Sequence, residues 1–327
     1  MIQKKIITCS IIIYLLSLPF LHLSAQNQQY SQFHQSPLLV NPAWVAANNQ
    51  MTVLINYRRE MLGGNESFSN PMLSFIRPFV NKAKKEDGST GQGKRWGGAG
   101  VHIIQDQTLG NSLQTIGFGV TYAHNVKLAK HHFISFGGQV GYLRKSLNPD
   151  ALQSEQDLLG QPTVDPLLSG GIRTKGVVSF NTGVLWYQSG DFGQHRSFFG
   201  VAAYHLNQPD FEFIGSADAV TQPIHFIING GIEVLNTDKF SLQPNFRWIL
   251  ENQLVQLNVG ALGRYRLQPN HMLGMGAWWS QGLVIVGLDY TFKNLFVGVS
   301  YDIAVSQENK RTATEITVGY RKTLGKQ

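Results

Sequence analysis

The stretch QLVQLNVGALGRYR, residues 253–266, alternates apolar and polar side chains with a period close to two. Neighbouring side chains of a β-strand point to opposite faces, so Leu257 and Val259 share one face while Asn258 and Arg264 lie on the other. An apolar face opposite a face with arginines fits a strand between lipid outside and water inside. The stretch therefore predicts a membrane-spanning β-strand.

The same alternation recurs along the chain in short segments separated by turn residues, which is typical of outer-membrane barrels. We predict about 14 strands, an even number as bacterial single-chain barrels require. The predicted fold class is all-β: a transmembrane antiparallel up-and-down β-barrel over residues 51–327, preceded by a non-strand segment. The predicted strands begin near Met51, Ser67, Trp96, Ser112, His132, Gly176, Arg196, Pro223, Lys239, Gln253, His271, Leu283, Leu295 and Thr312.

Composition favours a membrane barrel over a soluble protein. Charged residues make up 14% of the chain, against roughly 25% in soluble globular proteins. The longest charge-free stretch, residues 267–288, contains Pro269 and Asn270, so it predicts no spanning helix. Strands in a bilayer satisfy their backbone groups only in a closed barrel. A soluble β-sandwich is the alternative that a chain of this length also allows.

The first residues predict export. Lys4 and Lys5 precede an apolar run, residues 6–23, which is followed by a small residue at Ala25. This pattern is typical of a secretory signal peptide, here residues 1–25. A signal peptide followed by a barrel predicts that the protein resides in the cell outer membrane.

An uncleaved anchor helix is the alternative for this leader, although its apolar run is short and contains Pro19. The single cysteine, Cys9, lies inside the run. Cleavage therefore leaves a mature chain without a thiol, which excludes disulfides, thiolate metal sites and cysteine nucleophiles.

The predicted topology puts both ends of the barrel chain in the periplasm, so odd-to-even links face the cell exterior. These links include two long insertions, residues 146–175 and 207–222, whereas most periplasmic links are tight, such as residues 128–131. Long external loops and short periplasmic turns are the expected asymmetry. Residues 78–95 depart from it, because this long, charged link falls on the predicted periplasmic side.

Residues 26–50 precede the first strand, and Pro37 and Pro42 predict a fixed, non-strand conformation for them. We expect this segment to plug the lumen or to present a periplasmic docking surface. An inert leader is the alternative. The candidate partner-binding residues of the segment are Asn41, Pro42, Ala43 and Trp44.

Charged residues supply the other candidate partner-binding positions. Lumen charge pairs are expected between four arginines and three acids, although inward charges also stabilise a polar barrel interior without any partner. The arginines are Arg58, Arg59, Arg264 and Arg266, and the acids are Glu251, Asp302 and Glu315. Of these, Arg58 and Arg59 are the candidate partner-binding residues. The long outer loop adds four acidic candidates, for which calcium binding or a solvated surface are alternatives to partner binding. They are Asp150, Glu155, Asp157 and Asp165.

Signals for other chemistry are weak. The net charge of +7 falls to +5 without Lys4 and Lys5, and the basic residues are scattered, so no nucleic-acid binding is predicted. GSTGQGK, residues 88–94, has phosphate-loop spacing, but Arg95 stands where a Ser or Thr must hold magnesium. The sequence has no Gly-x-Ser-x-Gly or His-Glu-x-x-His motif. We therefore predict no cofactor, no metal and no enzymatic activity, although barrel hydrolases can assemble Ser and His from separate strands.

Several short motifs follow one another along the chain: QYSQF at 29–33, PLLVNPAW at 37–44, NYRR at 56–59, FGVAAYHL at 199–206, GVSYDI at 298–303 and EITVGYR at 315–321. In this order they resemble the PorP/SprF family over nearly the whole mature chain. The chain departs from the family pattern at Ala202, where a Ser is usual, and at Met61, where an aromatic is usual. It also ends at Gln327 rather than at an aromatic residue.

The resemblance implies an outer-membrane barrel of a Bacteroidota-type bacterium that supports type IX secretion and gliding. It further implies binding or anchoring of secreted surface proteins with a type B C-terminal domain, such as gliding adhesins. Contact with periplasmic ring or peptidoglycan-linked components is implied as well. The alternative function is a passive outer-membrane channel or hydrophobic-solute transporter, which needs an open lumen and no protein partner.

Overall fold

The computed structural model consists of one antiparallel sheet around an N-terminal segment of short helices. It describes residues 30–61, 67–81, 95–108, 112–148, 171–189, 195–211, 221–252, 254–305 and 311–324. A 3-10 helix, Phe33–Gln35, is followed by the one-turn helix α1, Pro37–Val40, and a second 3-10 helix, Pro42–Ala46. No helix within these ranges has the length and apolarity needed to cross a membrane.

Fifteen strands follow the helices. They are β1 Gln50–Met61, β2 Ser67–Val80, β3 Arg95–Thr108, β4 Leu113–Lys127, β5 His132–Leu147, β6 Arg173–Ser189, β7 His195–Tyr204, β8 His225–Ile232, β9 Leu235–Asn236, β10 Phe240–Glu251, β11 Leu254–Gln268, β12 His271–Ser280, β13 Leu283–Phe292, β14 Leu295–Ala304 and β15 Thr312–Thr323.

The sheet closes into a barrel of 14 strands, with the two-residue β9 as an additional pairing on β10. Apart from β9, which pairs only with β10, each strand pairs with the strands before and after it in the chain, so β8 pairs with β7 and β10. The first strand, β1, pairs with the last, β15, from Gln50↔Thr323 to Met61↔Thr312. Closure leaves no long unpaired edge in the sheet, which is the condition for strands to cross a bilayer. The predicted fold class is confirmed, and each predicted strand start lies within three residues of an observed one.

Alternation of side chains separates an apolar exterior from a polar lumen. In β1, Asn56 and Arg58 are buried inside, while Ile55 and Tyr57 are exposed outside. The same change of face from residue to residue runs through the other long strands, so large apolar side chains cover the exterior. This arrangement suits lipid contact outside and hydrogen bonding inside.

The ends of the barrel differ as the topology predicted. Gln50 and Thr323 lie side by side, so the first and last strands have their chain termini at one end, which we call the near end. Tight turns between β4 and β5, β11 and β12, and β13 and β14 are also at the near end. The long links after β5 and β7 leave from the opposite, far end. By the usual asymmetry of such barrels, the near end faces the periplasm.

Candidate functional site

Residues 30–49, which we call the inner segment, lie inside the barrel. Leu38, Ala43, Val45 and Ala46 have no exposed surface, and Tyr30 is 2% exposed. The apolar core of the protein lies between this segment and the barrel wall: Leu38 and Val45 pack with Ile76 of β2 and Ala123 of β4. Pro37 and Pro42 stand at the starts of α1 and of the second 3-10 helix, where a missing N–H costs nothing. The segment is therefore helical rather than part of the sheet, and it fills the space that the closed sheet encloses.

Side chains of the barrel wall satisfy the backbone carbonyls of the inner segment. The carbonyl oxygen of Leu38 accepts hydrogen bonds from Gln139 Nε2 at 3.1 Å and from Tyr204 Oη at 3.2 Å. Ser135 Oγ donates to the carbonyl of Ala43 at 2.9 Å. Buried carbonyls without such donors cost roughly 1–3 kcal/mol each. These wall residues therefore provide hydrogen-bond donors for the carbonyl groups of the non-strand inner segment.

Asn41 also connects the inner segment to the wall, and here a side chain of the segment donates to backbone carbonyls of the wall. Its Nδ2 donates to the carbonyl oxygens of Val184 in β6 at 3.0 Å and Val201 in β7 at 3.2 Å. Its Oδ1 accepts from the backbone N–H of Ala43 at 2.9 Å, which caps the second 3-10 helix. Pro42 at the first position of that helix has no N–H to satisfy. The Asn-Pro-Ala motif thus has a structural explanation in this position.

Glycines on the inner face make room for the segment. A Cβ added at Gly183 would lie 2.1 Å from Asn41 Oδ1, and one at Gly98 would lie 2.1 Å from the carbonyl oxygen of Val45. At Gly137 it would lie 2.4 Å from the backbone nitrogen of Ala43. Real Cβ atoms do not approach other atoms this closely. A residue with a Cβ at any of these three positions would therefore clash with the inner segment.

A buried charge cluster holds the start of the inner segment. Arg58 Nη1 pairs with Asp302 Oδ2 at 2.9 Å, and Arg58 Nη2 pairs with Glu60 Oε2 at 3.1 Å. Ser31 joins the cluster, because its Oγ donates to Asp302 Oδ2 at 2.8 Å and also contacts Arg58. The backbone N–H of Ser31 donates to Glu315 Oε2 at 2.6 Å. Three strand residues, Arg58 of β1, Asp302 of β14 and Glu315 of β15, therefore contact one serine.

Of the predicted lumen charge pairs, the described residues contain that of Arg58 with Asp302, whereas Arg59 does not point into the lumen. Arg59 is exposed on the outer face, because neighbouring strand residues cannot both point inward. Arg266 is exposed near the end of β11, next to a register irregularity. Arg264 is buried in the lumen toward the near end, whereas Glu251 is the last residue of β10, at the far end. Glu315 accepts backbone hydrogen bonds from Ser31 and Gln32 of the inner segment, and no ion pair of its carboxylate occurs among the described residues.

Trp44 lies beside a cavity of about 130 Å³ at the near end. Its ring stacks on His195 at 5.3 Å between centroids and meets Phe198 edge-on at 5.2 Å. Arg264 and Arg321 also line this cavity. Burial and, to a smaller extent, repulsion from the two arginines together lower the pKa of His34, another lining residue of the inner segment, to about 3. The environment of the cavity is therefore electropositive.

A larger cavity of about 550 Å³ lies on the far side of the inner segment. Leu39 lines it together with Asp106, Lys145 and Glu251. Part of the link after β7 folds over it: Lys145 Nζ lies 4.0 Å from the ring centroid of Phe211, which is 4% exposed. The inner segment thus separates a far cavity from the near cavity within the same lumen.

Several functional features are absent from the sequence prediction or lie outside the described ranges. Ser31 and Glu315 lie in the motifs QYSQF and EITVGYR, but the hydrogen bond between them was not predicted. Gln139 was not among the candidates, and its inward-facing polar character is the signal that the sequence offers for it. The predicted outer-loop candidates Asp150, Glu155, Asp157 and Asp165, and the signal peptide at residues 1–25, lie outside the described residues. Among the residues that are described, no three His, Cys, Asp or Glu side chains converge as a metal site requires.

The closed barrel, the apolar exterior and the polar lumen define the class of this protein: it is an outer-membrane β-barrel. Solved barrels share the fold. The CymD monoaromatic hydrocarbon channel is 11% identical over 89% of this chain and 93% of its own, with a TM-score of 0.52. The toluene transporter TbuX of Ralstonia pickettii is 12% identical over 88% and 93%, with a TM-score of 0.52. The toluene transporter TodX of Pseudomonas putida is 11% identical over 92% and 96%, with a TM-score of 0.50.

Identities this low establish the fold alone. The comparison with curated proteins finds no significant match. The family comparison is decisive, since the model described as type IX secretion system membrane protein PorP/SprF matches residues 23–320. This chain belongs to the PorP/SprF family, and the resemblance seen in its motifs is confirmed. Family and fold together make it an outer-membrane component of the type IX secretion system.

Proposed function

We propose that this barrel binds or anchors a secreted cell-surface protein carrying a type B C-terminal domain, in the manner of a gliding adhesin. We further propose that it links this cargo to periplasmic ring or peptidoglycan-linked components. The observation that carries the proposal is the inner segment, which lies between the two cavities of the lumen. A lumen occupied in this way favours contact with partners at the two ends over passage of a substrate through the barrel.

The two ends are suited to different partners. The far end carries the long links after β5 and β7, and loops on a rigid scaffold are common binding surfaces. We assign cargo binding to this end, with Asp150, Glu155, Asp157 and Asp165 as candidate contacts. The near end carries Trp44 of the inner segment, so we assign the periplasmic connection to that end.

A passive channel or hydrophobic-solute transporter is the competing function. The printed names of CymD, TbuX and TodX describe transport of aromatic hydrocarbons by barrels of similar fold. Against this function, Asn41 is bonded to two wall strands and three wall glycines fit the inner segment closely. Family and fold are of a secretion-system membrane protein, and we propose no enzymatic activity for it.

Deletion of residues 153–168 tests cargo binding at the far end. We expect the barrel to remain folded, because external loops contribute few hydrogen bonds to the strand ladder. We expect the candidate adhesin to be lost from the cell surface. Heat-modifiable migration measures folding, surface labelling measures the adhesin, and proteins co-purifying in mild detergent report the partners. A folded, loop-deleted barrel with a normal amount of surface adhesin would move the cargo site to the periplasmic face.

Replacement of Asn41 and Pro42 is the complementary experiment. Asn41 bonds to two wall strands and Pro42 begins the second 3-10 helix, so both residues hold the inner segment in place. We therefore expect weaker co-purification of periplasmic components or impaired barrel assembly. Comparison of the two variants separates the two ends. Equal loss of the adhesin and of periplasmic components in both variants would contradict the assignment of different partners to different ends.

A further inference from the structure

The near cavity, between the inner segment and the strands β10, β11 and β15, has no role in holding the segment. Its volume is about 130 Å³, whereas one water molecule needs roughly 10–15 Å³ on a comparable measure. The inner segment contributes Gln35, Trp44 and Asn48 to its lining, and the barrel contributes Arg264 and Arg321. A space of this size holds a side chain or a short piece of polypeptide.

Two guanidinium groups line the cavity, and neither has an acidic partner among the described residues. Arg264 is 5% exposed, and its Nε has no hydrogen-bond partner among the described residues. Arg321 donates to Gln35 Oε1 and packs over the ring of Phe296, at 4.5 Å from its centroid. Asp289 attracts Arg321 but does not line the cavity, and no ion pair within 4.0 Å joins them. Burying a charge without a partner costs free energy of folding. An anion bound in the cavity would offset this cost.

The remaining polar lining matches a peptide. Six carboxamide side chains face the cavity: Gln35, Asn48, Gln50, Asn229, Gln243 and Asn245. Each carboxamide has donors and an acceptor, as does each peptide unit of a bound chain. One donor is already available, because Gln35 Nε2 is buried without a hydrogen-bond partner. Trp44, Phe33 and Phe198 add aromatic surface.

We propose that the near cavity binds a carboxylate-bearing segment of a periplasmic polypeptide, with Arg264 and Arg321 holding the carboxylate and the carboxamides holding its backbone. A guanidinium binds a carboxylate through two parallel hydrogen bonds, which suits a carboxylate side chain or chain end. A lipid phosphate fits less well, because the closed barrel wall separates the lumen from the bilayer. The inference rests on the proposed function in one respect, that a protein partner approaches from the periplasm.

Calorimetric titration of the purified full chain in detergent tests the proposal. The probes are acetyl-Gly-Ala-Asp-Ala-Gly-amide and the same peptide with Asn in place of Asp. We expect the Asp peptide to bind and the Asn peptide to bind at least about tenfold more weakly, a loss of ~1.4 kcal/mol or more. This comparison uses the unmodified protein, so it does not depend on whether a variant folds.

Variants then identify the arginines. Arg264→Gln is expected to weaken binding of the Asp peptide by about tenfold or more, because a charge-assisted hydrogen bond is lost. Arg266→Gln is the matched control: it lies two residues further along the same strand, is exposed and does not line the cavity. Heat-modifiable migration verifies that both variants fold.

Three results would overturn the proposal. Equal binding of the Asp and Asn peptides, or binding of neither, removes a carboxylate site. Equal weakening by Arg264→Gln and Arg266→Gln places the anion outside the cavity. Displacement of the Asp peptide by inorganic phosphate, at concentrations where acetate has no effect, indicates a phosphate site instead. None of these results depends on where the secreted cargo binds, so they are distinguishable from failure of the proposed function.

Discussion

Glycines at single positions decide whether the barrel accepts the inner segment. Gly137 and Gly138 are neighbours in β5, so a substitution by alanine changes their strand propensity alike. An added Cβ at Gly137 would lie 2.4 Å from the backbone nitrogen of Ala43, whereas one at Gly138 would have no atom within 4 Å. The difference between the two substitutions therefore measures the contact with the inner segment.

We expect Gly137→Ala to lower the free energy of unfolding by about 1–3 kcal/mol, the usual cost of overpacking, and to displace the inner segment. Limited proteolysis with chymotrypsin, followed by mass spectrometry, checks this through cleavage at Phe33 and Trp44. Gly138→Ala should resist cleavage as the unmodified protein does. Equal resistance of the two variants would mean that the wall does not hold the segment at this point.

Arg58 and Arg59 provide a second matched pair. Arg58 is 7% exposed and pairs with Asp302 and Glu60, whereas Arg59 is exposed on the outer face. Arg58→Gln leaves buried carboxylates without their cation, a change that typically costs about 3–5 kcal/mol. Arg59→Gln should change stability by less than about 0.5 kcal/mol. Urea unfolding in detergent micelles, followed by tryptophan fluorescence, measures both; similar midpoints would contradict the assigned orientations.

The inner segment is the element that decides whether the lumen is blocked or is open as in a channel. The 14-stranded ring is hydrogen-bonded without it, since each strand pairs with two neighbours. The segment contributes apolar packing and the hydrogen bonds of Asn41 and Ser31 with the wall. Its removal should therefore lower stability without removing the ladder that defines the barrel.

We expect deletion of residues 30–49 to give a folded barrel that conducts ions in a planar bilayer. The unmodified protein should conduct little or not at all, because the inner segment lies between the near and far cavities. Heat-modifiable migration provides the folding control for the deleted chain. Comparable conductance before and after deletion would favour the channel function over the anchoring function.

The orientation of the barrel as a whole follows from its two unequal ends. Gln281 lies in the exposed turn between β12 and β13 at the far end, and Lys130 lies in the exposed turn between β4 and β5 at the near end. The sole cysteine of the sequence is Cys9, within the predicted signal peptide. A single introduced cysteine therefore reports the side of the membrane on which its turn lies.

We expect Gln281→Cys to react with a membrane-impermeant maleimide on intact cells. Lys130→Cys should react after the outer membrane is permeabilised and not before. The reason is that Gln281 lies at the same end as the long links after β5 and β7, and the end with the long loops faces the exterior in such barrels. The reverse labelling pattern would invert the barrel and exchange the partners assigned to its two ends.

The sequence was sufficient for the architecture of the wall. A period of two, as in residues 253–266, is a local property, because neighbouring strand residues must face opposite sides of any sheet. Alternation, few charges and even strand number therefore predicted the closed barrel and the strand starts. The same local rule, applied strictly, would have placed Arg59 outside once Arg58 was placed inside.

Tertiary structure decided what fills the lumen. The contacts of Ser31 with Asp302, and of Asn41 with Val184, join residues that are 271 and 143 positions apart in the chain. No local pattern encodes such pairs. They depend on the radius of the barrel and on which inward-facing residues of different strands lie at the same level along the barrel axis. For the same reason, only the folded chain brings Trp44, Arg264 and Arg321 to one cavity. The sequence contains each of these residues, and closure of the sheet determines which of them meet.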